Sequence, residues 1–535
     1  MAPIDKKRLL LGILPLVFVA VLLAVLLQLT AVADETGTRS PGSYVGSDAC
    51  QPCHETSHAG WAATNHPSAW VTLNNDSSKI EECEKCHVTG WGDEGHGGFN
   101  PTSDTPVEMR GIQCEACHGP GSDHLNTSQP QDIQVSLSAV VCGATCHQKE
   151  HHPYFQEWEE SGHAMSLISL RGATGAAEDS CLECHSADYI LANESEKPTL
   201  ETAEYPITCA LCHDPHNGTN PNQLRWPVEE LCAKCHNPTG AIPGDPIYHP
   251  QSSMRDGRSG APILGDSFMP GVECSDCHVY MYWPSNVTGH SFTQKPEACV
   301  VCHSTVQPVF SNDTAQTQVS QWRTQTWSRI IEVQQVVVLS ARAIEDAADY
   351  GFSDGTVEIA IDLHNEANYS LAFIVADGSG GSHNPPFASS LLNFSEDRSN
   401  ELISLLTPGT ISGRVVDTMG NPVEGVTVEK DGRVWATSRS NGTFQFLFAP
   451  GTHSFNLKLR GSSVGGIDSV TVLGDAVSEV GDVEIVEENI IIPMIIAIVA
   501  IILLSLIVAY LLFKKRGKGS EGEDSSPQND LGDGR

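Results

Sequence analysis

Cysteine and histidine recur together at one fixed spacing. All 18 cysteines lie between Cys50 and Cys302, and they form nine pairs in which a histidine directly follows the second cysteine. Eight pairs read C-x-x-C-H, and the fourth has one residue more. The motifs, numbered 1 to 9 in chain order, are Cys50/Cys53-His54, Cys83/Cys86-His87, Cys114/Cys117-His118, Cys142/Cys146-His147, Cys181/Cys184-His185, Cys209/Cys212-His213, Cys232/Cys235-His236, Cys274/Cys277-His278 and Cys299/Cys302-His303.

The spacing is typical of covalent haem c attachment. Two thiols one helical turn apart can each form a thioether with a haem vinyl group, and the adjacent histidine can ligate the iron. Disulfides and zinc sites also use C-x-x-C, but neither requires a histidine next. Because only 22 of 535 residues are histidine, composition cannot explain nine histidines at nine motifs. The sequence predicts nine covalent haems c, with each motif cysteine as an anchor and each motif histidine as a proximal ligand.

The motifs are too dense for separate domains. Between Cys50 and His303 each motif has about 28 residues, too few to build nine apolar cores. We therefore expect stacked haems to form the core, wrapped by loops and short helices, with neighbouring rings close enough to pass electrons.

A second histidine is available for each iron, since thirteen histidines lie outside the motifs. Two belong to an internal repeat, W-x-x-[ST]-x-H, which starts at Trp61 and Trp158. The residues alone leave open which of His151 and His152 ligates, and His58 and His364 are interpreted as spares. Histidine on both faces of the iron favours low potentials. The distal ligands predicted here are His66, His96, His124, His152, His163, His216, His249 and His290.

At these residues the chain resembles the multihaem cytochrome c superfamily, which includes pentahaem nitrite reductases, octahaem hydroxylamine oxidoreductases and cytochrome c554-like electron carriers. The resemblance covers roughly residues 44 to 406. Besides the motifs, it is carried by the Trp61/His66 unit, by residues 151–163 (HHPYFQEWEESGH) and by residues 377–392 (DGSGGSHNPPFASSLL). In that superfamily the histidine of the last segment reaches back to an iron, which implies that His383 is a further distal ligand.

The departures from the superfamily bear on function. No motif reads C-x-x-C-K, the form that such nitrite reductases use at the catalytic haem. Hydroxylamine oxidoreductases cross-link their catalytic haem to a tyrosine, and the sequence does not identify that residue among Tyr154, Tyr189, Tyr205 and Tyr248. We therefore favour an electron relay and assign no catalytic residue. The alternative is an oxidoreductase acting on a small nitrogen or sulfur species at one haem with open coordination. A filament subunit is a third hypothesis.

Apolar runs occur at both ends of the chain. Residues 1–33 contain Lys6-Lys-Arg8, an apolar stretch and Ala31-Val-Ala33, which predicts a signal peptide or an N-terminal anchor. Residues 489–513 predict a transmembrane helix, and the basic cluster after it predicts a cytoplasmic tail over 514–535. Everything between the two runs is then extracytoplasmic, where haem c is attached. Nine N-x-[ST] sequons in this part also predict a cell-membrane glycoprotein.

The remaining patterns complete a multidomain fold class: a haem-stacked, mostly irregular and α-helical cytochrome c domain, an α-helical region, a small β-sandwich and a C-terminal transmembrane helix. The predicted boundaries are 34–305 for nine haems, 306–407 for helices that close this domain, and 408–488 for the sandwich. Residues 411–426 resemble the carboxypeptidase regulatory-like fold, for which we favour a spacer role over a binding role.

Charge limits the partners. The chain carries 30 Lys and Arg against 66 Asp and Glu, a net charge of -36. A nucleic-acid binder needs a basic face, so nucleic acid is excluded as a partner. The expected partners are a membrane redox protein and an extracellular electron acceptor or donor. Oligomerisation is left open, although the C-terminal anchor argues against a free filament.

Overall fold

A computed structural model describes residues 42–100, 109–148, 152–173, 177–237, 247–258, 262–282, 287–305, 307–486 and 491–516. The predicted signal segment, His151 and most of the cytoplasmic tail lie outside the described residues. The chain folds into two compact units. The first contains the described residues up to Trp327 together with Phe373–Ser389, and the second contains Ser328–Ala372 and the chain from Ser390 onward.

The cysteine-rich part consists of short helices joined by loops, as the motif density predicts. In chain order, α1 to α16 are Ser47–Cys50, Glu55–Ala62, Ala69–Asn74, Glu81–Glu84, Cys114–His118, Ser122–Thr127, Ala139–Gly143, Tyr154–Glu159, Ser166–Gly172, Leu182–His185, Ala187–Leu191, Cys209–Cys212, Val228–His236, Gln251–Arg255, Cys274–His278 and Pro296–His303. Short 3-10 helices cover Glu94–His96, Pro130–Asp132, Asp179–Cys181 and Pro221–Gln223.

Apolar clusters in this part are small. One contains Leu167, Leu170, Leu182 and Ala203, and another contains only Val88, Phe99 and Met109 as buried members. The β region, by contrast, has fifteen buried residues in one cluster. Side chains alone therefore supply little of the apolar interior around the motifs, which is the arrangement expected if prosthetic groups fill it.

Three long helices follow the motifs. They are α17 (Asn312–Ala347), α18 (Asp354–Asp377) and α19 (Pro385–Leu405), with a 3-10 turn at Ala348–Tyr350 between the first two. Helix formers with apolar residues at helical spacing predict these three runs. Within the second unit, Ala347, Ala360, Leu402 and Leu406 are buried together.

The predicted β region is present as two sheets. Its strands are β1 (Gly409–Val416), β2 (Val426–Lys430), β3 (Arg433–Thr437), β4 (Thr443–Phe448), β5 (Gly451–Leu459), β6 (Ser462–Val472) and β7 (Val477–Glu484). One sheet has the order β4-β1-β7 and the other β3-β2-β5-β6. Because side chains alternate along a strand, Phe444, Phe446 and Phe448 of β4 all enter the shared core.

The last described element is α20 (Ile491–Arg516). Its segment Ile495–Lys514 has a mean hydropathy of 3.2 and is not buried by the described protein. By length and composition, this helix can cross a membrane.

Candidate metal centres

Several motifs occupy a single helical turn. α5 begins at Cys114 and ends at His118, and α15 begins at Cys274 and ends at His278. Residues three apart on a helix share a face, so the two thiols of such a motif lie on one side and the histidine follows directly. The backbone thus forms the C-x-x-C-H spacing as a rigid attachment unit.

Motif 4 accommodates its extra residue by ending the helix early. α7 ends at Gly143, inside the motif, and Cys146 lies in the turn that follows. A Cβ on Gly143 would come within 2.1 Å of Cδ2 of Phe155, so only glycine lets this ring pack against the motif backbone. The stretched motif is therefore held by a specific contact.

The thiols are unbridged, and thiols of different motifs touch. All eighteen cysteines are described, and none of them forms a disulfide. Cys50 contacts Cys114, Cys142 contacts Cys209, and Cys232 contacts Cys274. Cysteines of different motifs are thus adjacent, although they lie far apart in the sequence.

If the motifs form the core, their cysteines should be at least partly buried, but two of them are exposed. Cys53 and Cys302 are exposed, whereas the other motif cysteines are partly buried. Cys53 is exposed because α1 ends at Cys50, so the rest of motif 1 lies in a turn at the surface. Cys302 lies in the last turn of α16, at the other end of the motif series. A thiol at the surface can still form a thioether, so the assignment of both residues as haem anchors stays a prediction.

Seven motif histidines face a second histidine from elsewhere in the chain. Six of these second histidines were predicted as distal ligands from the residues, and the family resemblance implied the seventh, His383. The ring-centroid separations are His54–His124 6.1 Å, His147–His66 6.4 Å, His118–His216 5.9 Å, His236–His163 6.2 Å, His185–His249 5.7 Å, His213–His290 6.3 Å and His278–His383 6.0 Å.

These separations fit an iron held between two imidazoles. An imidazole nitrogen binds a transition metal at about 2 Å, and its ring centroid lies about 1 Å further back, so two rings on opposite sides of one metal have centroids about 6 Å apart. The observed range of 5.7 to 6.4 Å contains this value. Two rings in direct contact would stack more closely.

The hydrogen bonds leave the correct ring nitrogen available. A carbonyl oxygen can only accept, so an Nδ1 that faces one donates its proton and leaves Nε2 with its lone pair for a metal. Six motif histidines have this arrangement, and His236 makes the same contact with Oε1 of Gln251 at 3.1 Å. The six are His87 with Ala69 (2.7 Å), His118 with Gln134 (2.7 Å), His185 with Ser166 (2.9 Å), His213 with Asn222 (2.8 Å), His278 with Phe292 (2.9 Å) and His303 with Pro308 (2.9 Å).

A histidine outside the first unit provides a contrast. His453 of β5 uses Nε2 for its hydrogen bond, at 3.0 Å from the carbonyl oxygen of Ala449. That nitrogen is therefore engaged by the backbone, as expected for a residue with a structural role only.

Burial favours the neutral form of several facing histidines, which is the form that binds a metal. Burial, together with nearby His66 and other histidines, lowers the pKa of His147 to about 4. Burial and nearby His236 lower the pKa of His163 to about 4 as well. The pKa values of His213 and His278 are also lowered, mainly by burial.

Two motif histidines and two predicted distal ligands stand apart from this pattern. Among the described residues, no histidine ring faces His87 or His303 in this way. His152 lies 6.4 Å from His147, the same separation as His66, which is the partner assigned to His147 above. His96 contacts Asp93 through Nδ1 and faces no described motif histidine. Both distal assignments remain predictions.

The structure also reveals acidic residues that position the ligands, which the sequence reasoning did not identify. Glu157 accepts hydrogen bonds from the backbone N–H of Thr288 (2.9 Å) and of His290 (2.8 Å). Asp377 accepts one from Nδ1 of His383 at 2.6 Å, and its side chain is fully buried. Such carboxylates orient a ligating ring. The only sequence signal was that both lie inside the segments that carry the family resemblance.

The comparisons with known proteins agree with this geometry. Residues 49–119 match the family described as cytochrome c554 and c-prime, residues 203–241 match the doubled CXXCH motif, and residues 266–415 match cytochrome c552. The chain belongs to the multihaem cytochrome c superfamily. Its paired motifs accordingly bind covalent haem c, an iron-containing cofactor of electron transport.

The individual relatives share less than 30% of their residues with this chain over the aligned parts. This cytochrome is 26% identical over 230 residues to the multiheme cytochrome MtrA of Shewanella baltica, covering 39% of this chain and 58% of that one. It is 29% identical over 106 residues to cytochrome c-554 of Nitrosomonas europaea, covering 16% of this chain and 44% of that one. The chain thus spans about half the length of these curated relatives.

Among solved structures, the outer cell wall cytochrome OcwA aligns with a TM-score of 0.53 at 23% identity. The alignment covers 66% of this chain and 99% of OcwA. At this identity the similarity concerns the fold alone.

Proposed function

We propose that this cytochrome holds nine haems c and relays electrons between a membrane redox partner and an acceptor or donor outside the cell. The observation that carries the proposal is the set of seven histidine pairs spaced to hold an iron on both sides. Haem iron supplies reversible one-electron chemistry, and histidine on both faces leaves no position for a substrate.

The contacts between motifs support a continuous path. Helices that carry different motifs pack on one another: α1 on α5, α7 on α12, α10 on α13, α13 on α15, and α15 on α16. These contacts link motifs 1 with 3, 4 with 6, 5 with 7, 7 with 8, and 8 with 9. Sγ of Cys86 also lies 3.1 Å from the carbonyl oxygen of Thr145, which links motif 2 with motif 4.

Two electrostatic effects between thiols of different motifs join these pieces. Burial and then nearby Cys142 raise the pKa of the Cys117 thiol to about 11, so motif 3 neighbours motif 4. The pKa of Cys232 is raised mainly by its contact with Cys274 and by burial, and also by Cys212, so motif 6 neighbours motif 7. The path then runs through motifs 1, 3, 4, 6, 7, 8 and 9, with motifs 2 and 5 as side branches, and we infer haem stacking along it.

The membrane part of the proposal rests on α20. The basic residues after its apolar segment favour a cytoplasmic C-terminal end by the positive-inside rule. The haem-bearing unit and the β-sandwich then lie outside, with the sandwich as a spacer. A protein fixed this way receives electrons at the membrane and exchanges them with a partner beyond it.

The experiment uses the full-length, haem-loaded protein in detergent. Intact-mass measurement is expected to give nine covalent haems, and the double variant Cys181→Ser/Cys184→Ser is expected to give eight. Titration with a low-potential reductant should then reduce every haem, and ferricyanide should reoxidise every haem. A lower count in the wild type, or a fraction of haem that exchanges no electrons, would overturn the proposal.

A further inference from the structure

One ligand histidine differs from the others in the group that binds its ring. Nδ1 of His383 lies 2.6 Å from a carboxylate oxygen of Asp377. In the seven described pairs, the other hydrogen bonds of Nδ1 go to neutral oxygens. These are backbone carbonyls for His118, His124, His185, His213 and His278, the amide oxygen of Gln251 for His236, and the hydroxyl and carbonyl of Thr288 for His290.

Two other carboxylates lie near ligand histidines, but neither binds the ring. Nδ1 of His216 is 3.6 Å from Oδ1 of Asp214, which is beyond hydrogen-bond range, and Arg225 pairs with that carboxylate at 3.2 Å. Glu157 accepts from the backbone N–H of His290 and not from its ring. Among the described pairs, motif 8 therefore has the one ligand whose ring proton is bound by a negative charge.

The contacts of Asp377 fit its ionised form. Its side chain is fully buried. Since Nε2 of His383 is the nitrogen left for the iron, Nδ1 carries the ring proton and donates to Oδ1 of Asp377. Oδ2 accepts from the backbone N–H of Ser379 (3.3 Å) and from its hydroxyl. Both oxygens are thus acceptors, as in a carboxylate.

Hydrogen bonds on both sides hold this segment in place. Gln251 donates Nε2–H to the backbone carbonyl of Asp377 (3.0 Å), and its Oε1 contacts Nδ1 of His236 in motif 7 (3.1 Å). Asn384, which follows the ligand histidine and is 1% exposed, donates to the backbone carbonyl of Asp266 (2.9 Å). The carboxylate is therefore fixed beside motifs 7 and 8 by the fold.

One positive charge lies near motif 8, and it is already paired. Nη1 of Arg255 is 3.6 Å from Sγ of Cys274, but this guanidinium also binds Glu229 at 2.8 Å and Asp256 at 2.9 Å. In the described part of the chain, Asp377 has no arginine or lysine partner; its ion pair is with the ligand histidine. Its charge is thus directed at the ligand.

A carboxylate bound to the far nitrogen of an imidazole makes that imidazole a stronger electron donor. Donation stabilises ferric iron more than ferrous iron, because ferric iron carries one more positive charge, so the reduction potential falls. Burial strengthens the effect, because water screens the charge less there.

We propose that Asp377 lowers the reduction potential of the motif 8 haem below that of the neighbouring motif 7 haem, whose ligand His236 is bound by a neutral amide. The inference rests on the proposed haem path. At equilibrium an electron then resides on motif 7 in preference to motif 8. Motif 8 passes electrons along the path without storing them.

The test is a potentiometric titration of the full-length, haem-loaded protein in detergent, followed by absorbance and by EPR of the ferric haems. Asp377→Asn keeps the size of the side chain and removes its charge. We expect one haem to become easier to reduce, with its reduction equilibrium constant raised about tenfold, which is about 59 mV for one electron. The number of low-spin haems should not change, because His383 remains a ligand.

Two controls locate the effect. Asp266→Asn removes an exposed charge close to the same segment, and because solvent screens that charge, no equilibrium constant should change by more than about twofold. In Cys274→Ser/Cys277→Ser, which lacks the motif 8 haem, adding Asp377→Asn should shift no remaining haem as far.

An unchanged titration in Asp377→Asn, or equal shifts in the two aspartate variants, would overturn the inference. A shift that comes with the loss of a low-spin haem would also overturn it, since Asp377 would then only hold the ligand in place. If Asp377→Asn does not accumulate, two haem deletions decide. The component lost in Cys274→Ser/Cys277→Ser must lie at lower potential than the component lost in Cys232→Ser/Cys235→Ser, and the reverse order refutes the inference.

Intact mass and reoxidation by ferricyanide are measured on the same samples. Fewer than nine haems in the wild type, or incomplete reoxidation, refutes the relay. Nine haems that all exchange electrons, with potentials that Asp377→Asn leaves unchanged, refute only the role of Asp377.

Discussion

Replacing Glu157 by glutamine tests how the loop that carries His290 is held in place. One carboxylate oxygen of Glu157 accepts from the Thr288 N–H, and the other accepts from the Thr288 hydroxyl (2.7 Å) and from the His290 N–H. Glutamine has nearly the same shape but presents an NH₂ group in place of one oxygen. At least one N–H or O–H donor of the loop is then left without an acceptor.

The size of the effect follows from that unpaired donor. Leaving a donor unsatisfied in a half-buried site costs about 1 to 3 kcal/mol. If the cost falls on the state in which His290 ligates the iron of motif 6, the population of the detached state rises by about 5- to 150-fold. A ligand that competes with His290 gains apparent affinity by the same factor.

Cyanide titration of the ferric, haem-loaded protein measures this change. Glu157→Gln is expected to show one additional cyanide-binding haem with affinity raised in that range. Glu159→Gln is the matched control, because this exposed glutamate lies two residues further along. Equal cyanide affinities in the two variants would refute the positioning role of Glu157.

Two other substitutions test the fold on which the site depends. Gly60→Ala would place a Cβ 1.5 Å from the carbonyl oxygen of His216, which faces His118 of motif 3. We therefore expect the low-spin EPR signal of motif 3 to be lost. In the control Gly355→Ala, the added Cβ meets no atom within 4 Å, so the spectrum should not change. Leu457→Ala removes a fully buried side chain from the β-sandwich and should lower the free energy of unfolding, measured in urea titrations, by about 2 to 5 kcal/mol. Leu447 is 41% exposed, so Leu447→Ala should lower it by less than about 1 kcal/mol. A spectral change in Gly355→Ala, or equal losses for the two leucines, would contradict the packing described.

Elements with a local signal could be predicted from the sequence. Apolar spacing predicted helices within residues 306–407, and α17, α18 and α19 lie there. Alternating residues and turn signals predicted the β region, and two sheets are present there. In both cases the spacing of apolar residues along one element is enough to identify it as a helix or a strand.

The pairing of ligands could not be predicted in the same way. His278 and His383 face each other although 105 residues separate them, and no periodicity connects such positions. His96 shows the opposite difficulty: Asp93 binds its Nδ1 as Asp377 binds that of His383, but no described motif histidine faces His96, so its assignment stays a prediction.

In the proposed electron path, motif 6 is the link between motifs 1–4 and motifs 7–9. The most direct measurement mixes the reduced, full-length protein with particulate ferric oxide, too large to enter the fold, and follows haem reoxidation by absorbance. We predict that the wild type and Cys181→Ser/Cys184→Ser, which lacks only a branch haem, reoxidise completely, whereas Cys209→Ser/Cys212→Ser leaves part of its haem reduced. Incomplete reoxidation of the wild type, or complete reoxidation without motif 6 at the wild-type rate, would contradict the account.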